Sequence, residues 1–469
     1  MKIPFLNKLR PLLRNNQALS LAGNLVASGL TVVSVSLLFR ALSVQEIGAW
    51  VFFVSILGLG DALRAGGITT AFIRSYSGAS RVRAAEVVGS TWVLALLITG
   101  TLIALALLAR LWPSPVANIS LALFIKWFPV TFVLTLPSFL AACVLQAQLR
   151  FDKLLYLRLL TQGTFILGII TLMLLHQTTL ERVLYCNLVA AALTSLVALL
   201  MGWTRIGDLP ARTAACVREL SHFGKYSVGS YIGSSLLRSS DTFIINFLLG
   251  PAPLAVYNLA QRFMEIIEIP LRSFMATAMP SLSAAFNQGN TPEMARIIRR
   301  NAGLLTWLLL PVIVATVLLA DVPIRLIGGS KYAGTEAANL LRIAIAMAVL
   351  FPIDRFSGVA LDVLNKPRLN LLKVLLMLAV NVAGDFIGIH FCHNIYGVAL
   401  ASLPTIVSGF VFGYFLLNKS LPIAIPEILR DGLLEIQRLF RHLTGRAMLA
   451  PAHDAAAWNM SRPTPKPNR

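Results

Sequence analysis

The sequence is poor in charge and poor in the residue sets that do chemistry. Of its 469 residues only 13% are charged, and acids number 20 against 40 bases. Four cysteines (Cys143, Cys186, Cys216 and Cys392) show no metal or redox spacing. His176, His390 and His393 have no carboxylate at ligand spacing, so no metal site is expected. There is no nucleophile triad, no glycine-rich phosphate loop and no Walker motif, which excludes nucleotide hydrolysis by this chain and leaves no cofactor to expect. The basic residues are not gathered on one polar face, which excludes nucleic acid as a partner.

Apolar length is what the sequence has in quantity. It is 57% hydrophobic, with mean hydropathy +0.76, far above the composition of a soluble domain. Runs long enough to cross a hydrocarbon core of about 30 Å recur along the chain. About twelve spans are expected, over 18–40, 46–73, 86–109, 118–145, 154–175, 183–203, 225–249, 253–284, 298–319, 335–363, 368–391 and 395–418. The first is too long for a signal-peptide core and reads as an uncleaved span. The polar stretch 204–224 divides the spans six and six. The expected units are therefore an N-terminal bundle (1–203), a cytoplasmic linker (204–224), a C-terminal bundle (225–418) and a tail (419–469). Lysine and arginine concentrate in the even-numbered loops, for example Arg74, Arg81 and Arg83, then Arg296, Arg299 and Arg300. That bias places both termini in the cytoplasm.

The halves echo each other. "LSVQEIGAW" (Leu42 to Trp50) lines up with Leu249 to Tyr257 at an offset of 207 residues. The same offset sets Asp61 on Glu268, and Arg64 one residue short of Arg272. Two six-span repeats of the same direction would be related by an axis along the membrane normal. In the tail, Leu429, Leu433, Ile436, Phe440 and Leu443 form one apolar helical stripe with Arg430, Arg438 and Arg441 off it. This suits either an interfacial helix or a helix packed on the protein's own cytoplasmic face. The residues from Pro451 onward have a disordered composition.

The informative residues are charges inside spans, where each costs roughly 2.5–3.5 kcal/mol at the bilayer centre. Asp61 and Arg64 lie in span two, and Arg238 and Asp241 in span seven. Span eight holds Arg262, Glu265, Glu268 and Arg272, spaced to run along one side of a helix interrupted by Pro270. Span ten carries Arg342, Asp354 and Arg355, and span eleven Lys373 and Asp385. Lys126 and Lys373 are read as snorkelling to nearby interfaces. Arg64, Arg238, Arg262 and Arg272 are the candidate cargo-binding residues, because guanidinium forks match phosphate oxygens. Asp61, Asp241, Glu265 and Glu268 are the candidate coupling or ion-pairing acids. Mutual ion pairs that fix helix packing are the competing reading for all of them.

"FRALSVQEIGAWVFFVSILGLGDALRAGGITTAFIR", together with "SSDTFIINFLLGPAPLAVYNLAQRFMEI", resembles the polysaccharide biosynthesis flippases. These are the O-antigen and exopolysaccharide translocases of the superfamily that also holds the multidrug and toxic-compound extruders. The resemblance covers all twelve spans. It implies an all-α integral membrane fold, with two six-helix bundles around a central cavity, rocking between inward- and outward-open states. It implies a non-enzymatic carrier of undecaprenyl-pyrophosphate-linked oligosaccharide in the bacterial inner membrane, with lipids and the pathway's polymerase and assembly proteins as partners. The alternative on the same fold is a small-molecule or drug exporter. That branch commonly has a coupling carboxylate in span one, which is missing between Ala18 and Phe39. A membrane ligase or polymerase would need a large outer loop, and the longest odd-numbered loop is Ala320 to Thr335.

Overall fold

A computed structural model describes residues 16–108 and 119–443. Their regular structure is helical: α1 Asn16–Ala41, α2 Val44–Tyr76, α3 Arg81–Leu108, α4 Ile119–Leu134, α5 Leu136–Ala147, α6 Phe151–Leu174, α7 Leu180–Leu200, α8 Ala214–Leu248, α9 Pro251–Asn287, α10 Thr291–Leu318, α11 Asp321–Gly328, α12 Ala337–Ala346, α13 Phe351–Val363, α14 Pro367–Cys392, α15 Ile395–Asn418 and α16 Ile425–Leu443. Helix starts follow capping chemistry. Ser43 caps α2 and receives Glu46 in return, closing a capping box. Thr179, Thr213 and Asn394 side chains cap α7, α8 and α15. The starts of α2 and α9, Val44 and Pro251, are separated by the 207-residue offset of the sequence repeat.

Among the described residues eight helices are long and apolar enough to cross a membrane, or nine with α4 and α5 taken as one span bent by 43°. Pro129 inside α4 and Pro137 at the start of α5 flank that bend. Three further helices bring the total to the expected twelve, with α12 and α13 counted as one span. They are α1, Asn16–Ala41, and α8 and α9, of 35 and 37 residues. The last two are long but polar, and they hold most of the candidate site.

The connection expected over 204–224 is shorter than that. After a 3-10 segment, Ile206–Ala211, Thr213 caps α8, which therefore starts eleven residues earlier than expected. Cys216 and Leu220 bury their side chains beside Phe72, Val87 and Trp92 of the first half, so this stretch is helical for packing reasons.

The halves meet chiefly along α2 and α8, which run antiparallel. At one end Gly48 lies so close to the Pro251 carbonyl that an added methyl would overlap it. Midway, Phe52 meets Phe243 edge-on at 5.9 Å between ring centroids. At the other end Gly67 abuts Gly224, and Gly66 abuts Val228. The Pro251 end is sealed further. Arg40 donates to the Leu326 carbonyl at 2.6 Å, Ser120 to Asn246 at 2.8 Å, and the Lys331 ammonium to the Leu42 carbonyl. Burial pulls Lys331 below its ordinary pKa, opposed by the nearby Glu46 carboxylate. The Ala320–Thr335 loop is thus a cap: α11 and the turn after it bind the end of α1. The largest core draws on both halves here, including Leu38, Ile47, Phe52, Leu254, Leu259 and Ile324.

The tail helix α16 docks on α10. Gly303 and Gly432 cross in backbone contact. Arg299 bridges to Glu427 at 2.7 Å and to Asp431 at 3.0 Å, and Arg300 to Glu435 at 2.5 Å. Of the two readings of this helix, packing against the protein's own body describes this face. Leu429, Leu433 and Leu434 stay exposed on another. The residues expected to be disordered lie outside the described ones.

Candidate functional site

The α2–α8 register places the predicted charges. Gly48 opposite Pro251 and Gly67 opposite Gly224 set Asp61 and Arg64 further towards the Tyr76 end than Arg238 and Asp241. The four do not converge on one point.

Arg64 is closed off. Its side chain is 1% exposed and bonds Asp61 at 2.5 Å. The guanidinium lies 4.3 Å and 4.4 Å from the ring centroids of Phe132 and Phe139. It also donates to the Phe132 carbonyl and to Thr135 Oγ1, at 3.4 and 3.2 Å. Phe132 and Phe139 stand on either side of the α4–α5 bend. Arg64 therefore satisfies backbone freed by the break and pins α2 to it. Its partner Asp61 is 53% exposed.

Arg238 and Asp241, three residues apart, do not pair. Arg238 is exposed and has no ion-pair partner among the described residues. Asp241 joins a buried polar cluster instead. Tyr257 donates its hydroxyl to Asp241, and Gln261 donates to that hydroxyl at 2.8 Å. The Asn381 amide bonds Asp241 at 2.5 Å and Asp385 at 3.4 Å, and Thr405 fixes Asn381 at 3.0 Å. Asp385 is 0% exposed, and one of its oxygens has no partner. No lysine or arginine bonds either acid among the described residues. The Asn381 amide thus bridges the two acids.

The α9 stripe is the open part. Arg262 bonds both oxygens of Glu265 at 3.1 Å and Asn258 at 3.1 Å. Arg272 holds Glu268 at 2.5 Å. Arg355, on α13, holds the other Glu268 oxygen at 2.8 Å. Arg272 is 59% exposed, Glu265 56% and Arg355 40%. Arg262, Glu265, Glu268 and Arg272 lie in the middle part of the 37-residue α9, where lipid solvates charge poorly, and Arg355 reaches Glu268 from α13.

Lys373 does not snorkel. It is buried and paired with Asp354 at 2.6 Å, one residue from Arg355. Lys126 pairs with Glu181 at 2.8 Å on an exposed surface. Arg355 and Asp385 are the residues that the candidate set missed. Both were visible as charges inside spans. Which acid each one meets depends on α13 and α14 packing beside α8 and α9, a relation that spacing within one helix does not carry.

The polysaccharide biosynthesis protein family matches residues 37–337. A probable low-salt glycan biosynthesis flippase of Haloferax volcanii, Agl15, is 23% identical over 364 residues, covering 76% of this chain and 75% of its own length. Two solved structures share the fold at 15% identity. The lipid II flippase MurJ in an inward closed conformation has a TM-score of 0.71, covering 94% of this chain and 95% of its own. A multidrug resistance MATE transporter in its inward-facing conformation has a TM-score of 0.70, covering 84% and 95%. The chain belongs to the polysaccharide biosynthesis protein family, and its fold is the one seen in the MurJ and MATE structures.

Proposed function

We propose that this transporter moves an oligosaccharide linked to undecaprenyl pyrophosphate from the cytoplasmic to the outer leaflet of a bacterial inner membrane, by alternating access. The observation that carries the reading is the exposed mid-span stripe of α9 with Arg355 beside it. A glycan headgroup has many hydroxyls, each costing several kcal/mol if bared to hydrocarbon. It crosses only through a wet cleft, with its lipid tail left in the bilayer. Arginines at mid-depth attract the pyrophosphate, and their acids keep the empty cleft from carrying a large excess charge.

Lysine and arginine lie mainly at the Tyr76 end, which makes that end cytoplasmic. The seal at the Pro251 end then closes the outer side, and the cleft admits cargo from the cytoplasm. An inside-negative potential favours outward movement of the pyrophosphate by about 2.3 kcal/mol per charge per 100 mV. The Asp241–Asp385 pair is the proton-coupling group. The N-terminal (1–203) and C-terminal (225–418) bundles are the rocking bodies.

The test is flipping of a lipid-linked oligosaccharide in proteoliposomes. Wild type is expected to move it. Arg272→Ala is expected to abolish movement with membrane insertion intact, and Arg272→Lys to restore it only in part, since a lysine has no planar fork. Wild-type rates in the Arg238→Ala, Arg262→Ala and Arg272→Ala variants would remove these side chains from the cargo site.

A further inference from the structure

Glu268 is the one carboxylate of the α9 stripe held by arginines from two helices. Glu265 meets Arg262 of its own helix, three residues away, as on many helix surfaces. Glu268 instead presents one oxygen to Arg272 of α9 and the other to Arg355 of α13. The two guanidiniums are themselves 59% and 40% exposed, while the acid between them is 23% exposed. Arg355 is set in place from behind. It lies 5.7 Å over the Phe351 ring, and its neighbour Asp354 is engaged by the buried Lys373. Two forks from separate helices converging on one oxyanion reproduce how proteins hold a phosphoryl group.

We infer that Arg272 and Arg355 form a clasp for a phosphate or pyrophosphate group, and that the Glu268 carboxylate is its resident occupant, displaced when the phosphate arrives. The inference rests on the reading of the cargo as a phosphorylated lipid and names the groups that grip it. With Glu268 in place the three side chains carry one net positive charge; with it swung aside, the clasp presents two. An incoming pyrophosphate supplies the oxygens that Glu268 gives up, and the exposed edge of the clasp gives the released acid a path to water. In this role the acid keeps the clasp from closing on itself between cargoes. It also tunes affinity so that the phosphate can leave.

The test is titration of the purified, lipid-reconstituted full chain with inorganic pyrophosphate by calorimetry. Competition and scaffolding give opposite signs. If Glu268 competes, Glu268→Gln binds pyrophosphate about tenfold tighter than wild type, the worth of one charge-assisted hydrogen bond. Adding Arg355→Ala to Glu268→Gln then cancels the gain, and adding Arg355→Lys cancels part of it. If Glu268 merely ties α9 to α13, Glu268→Gln binds no tighter, and that result overturns the inference. So does an absence of pyrophosphate binding in both wild type and Glu268→Gln. Glu268→Asp provides a second route should the glutamine variant fail to fold: its shorter arm cannot reach both guanidiniums, and it too is expected to bind tighter. Failure of this idea is separable from failure of the glycan reading. Wild-type flipping with an unchanged Glu268→Gln titration discards the clasp and keeps the cargo. The expected titrations with no flipping of the glycan lipid keep the clasp and discard the cargo.

Discussion

Arg64 and Arg272 are the same residue type one residue apart in the register of the two repeats, and their surroundings set them different tasks. Arg64 is buried between two aromatic rings and spends its donors on a helix break. Arg272 is more than half exposed and spends one on an acid. Arg64→Ala should therefore lower thermal stability in detergent by about 2 kcal/mol, through lost stacking and hydrogen bonds. Arg272→Ala should leave the melting temperature within about a degree of wild type while transport is lost, as expected for an exposed substitution away from the core. Equal melting temperatures for the two variants would contradict this division. The sequence shows both as charges inside spans. Burial is what separates them, and burial depends on the partner helix.

Elements were more legible than contacts. All twelve expected spans coincide with described helices or helix pairs over most of their length, because a span is a local property of about twenty residues. The repeat was also legible, since Val44 and Pro251 both begin helices at the same offset. Helix crossings were not. Glycines that permit them, such as Gly48 beneath Pro251 and Gly303 against Gly432, look like any other glycine in an apolar run until the neighbour is known. Gly48→Leu should force the two halves apart at the Pro251 end, because a backbone carbonyl cannot yield as a side chain can. A pair of spin labels across that end should report a longer distance than in wild type. Gly303→Leu should release α16, so that its amides exchange hydrogen faster while those of α14 and α15 do not change. Unaltered exchange in α16 would mean that the ion pairs from Arg299 and Arg300 hold the helix alone.

At the scale of the whole molecule, two bundles share a sealed core at one end and expose acids and arginines near mid-depth. Composition foretold a membrane protein with internal charge. It did not reveal that most of these charges pair with one another, with Arg238, Asp241 and Asp385 outside the ion pairs among the described residues. The account stands on the α9 stripe facing water rather than lipid, and substituted-cysteine accessibility tests that most directly. In a background with the four native cysteines replaced, Glu265→Cys and Leu167→Cys would each be exposed to a membrane-impermeant maleimide in inside-out vesicles. Both native side chains are well exposed, 56% for Glu265 and 66% for Leu167, which lies within α6. The expected result is rapid labelling at 265, slowed by inorganic pyrophosphate, and none at 167, where exposure is to lipid. Labelling at 265 as slow as at 167 would show that no aqueous cleft reaches the stripe, and would contradict the account.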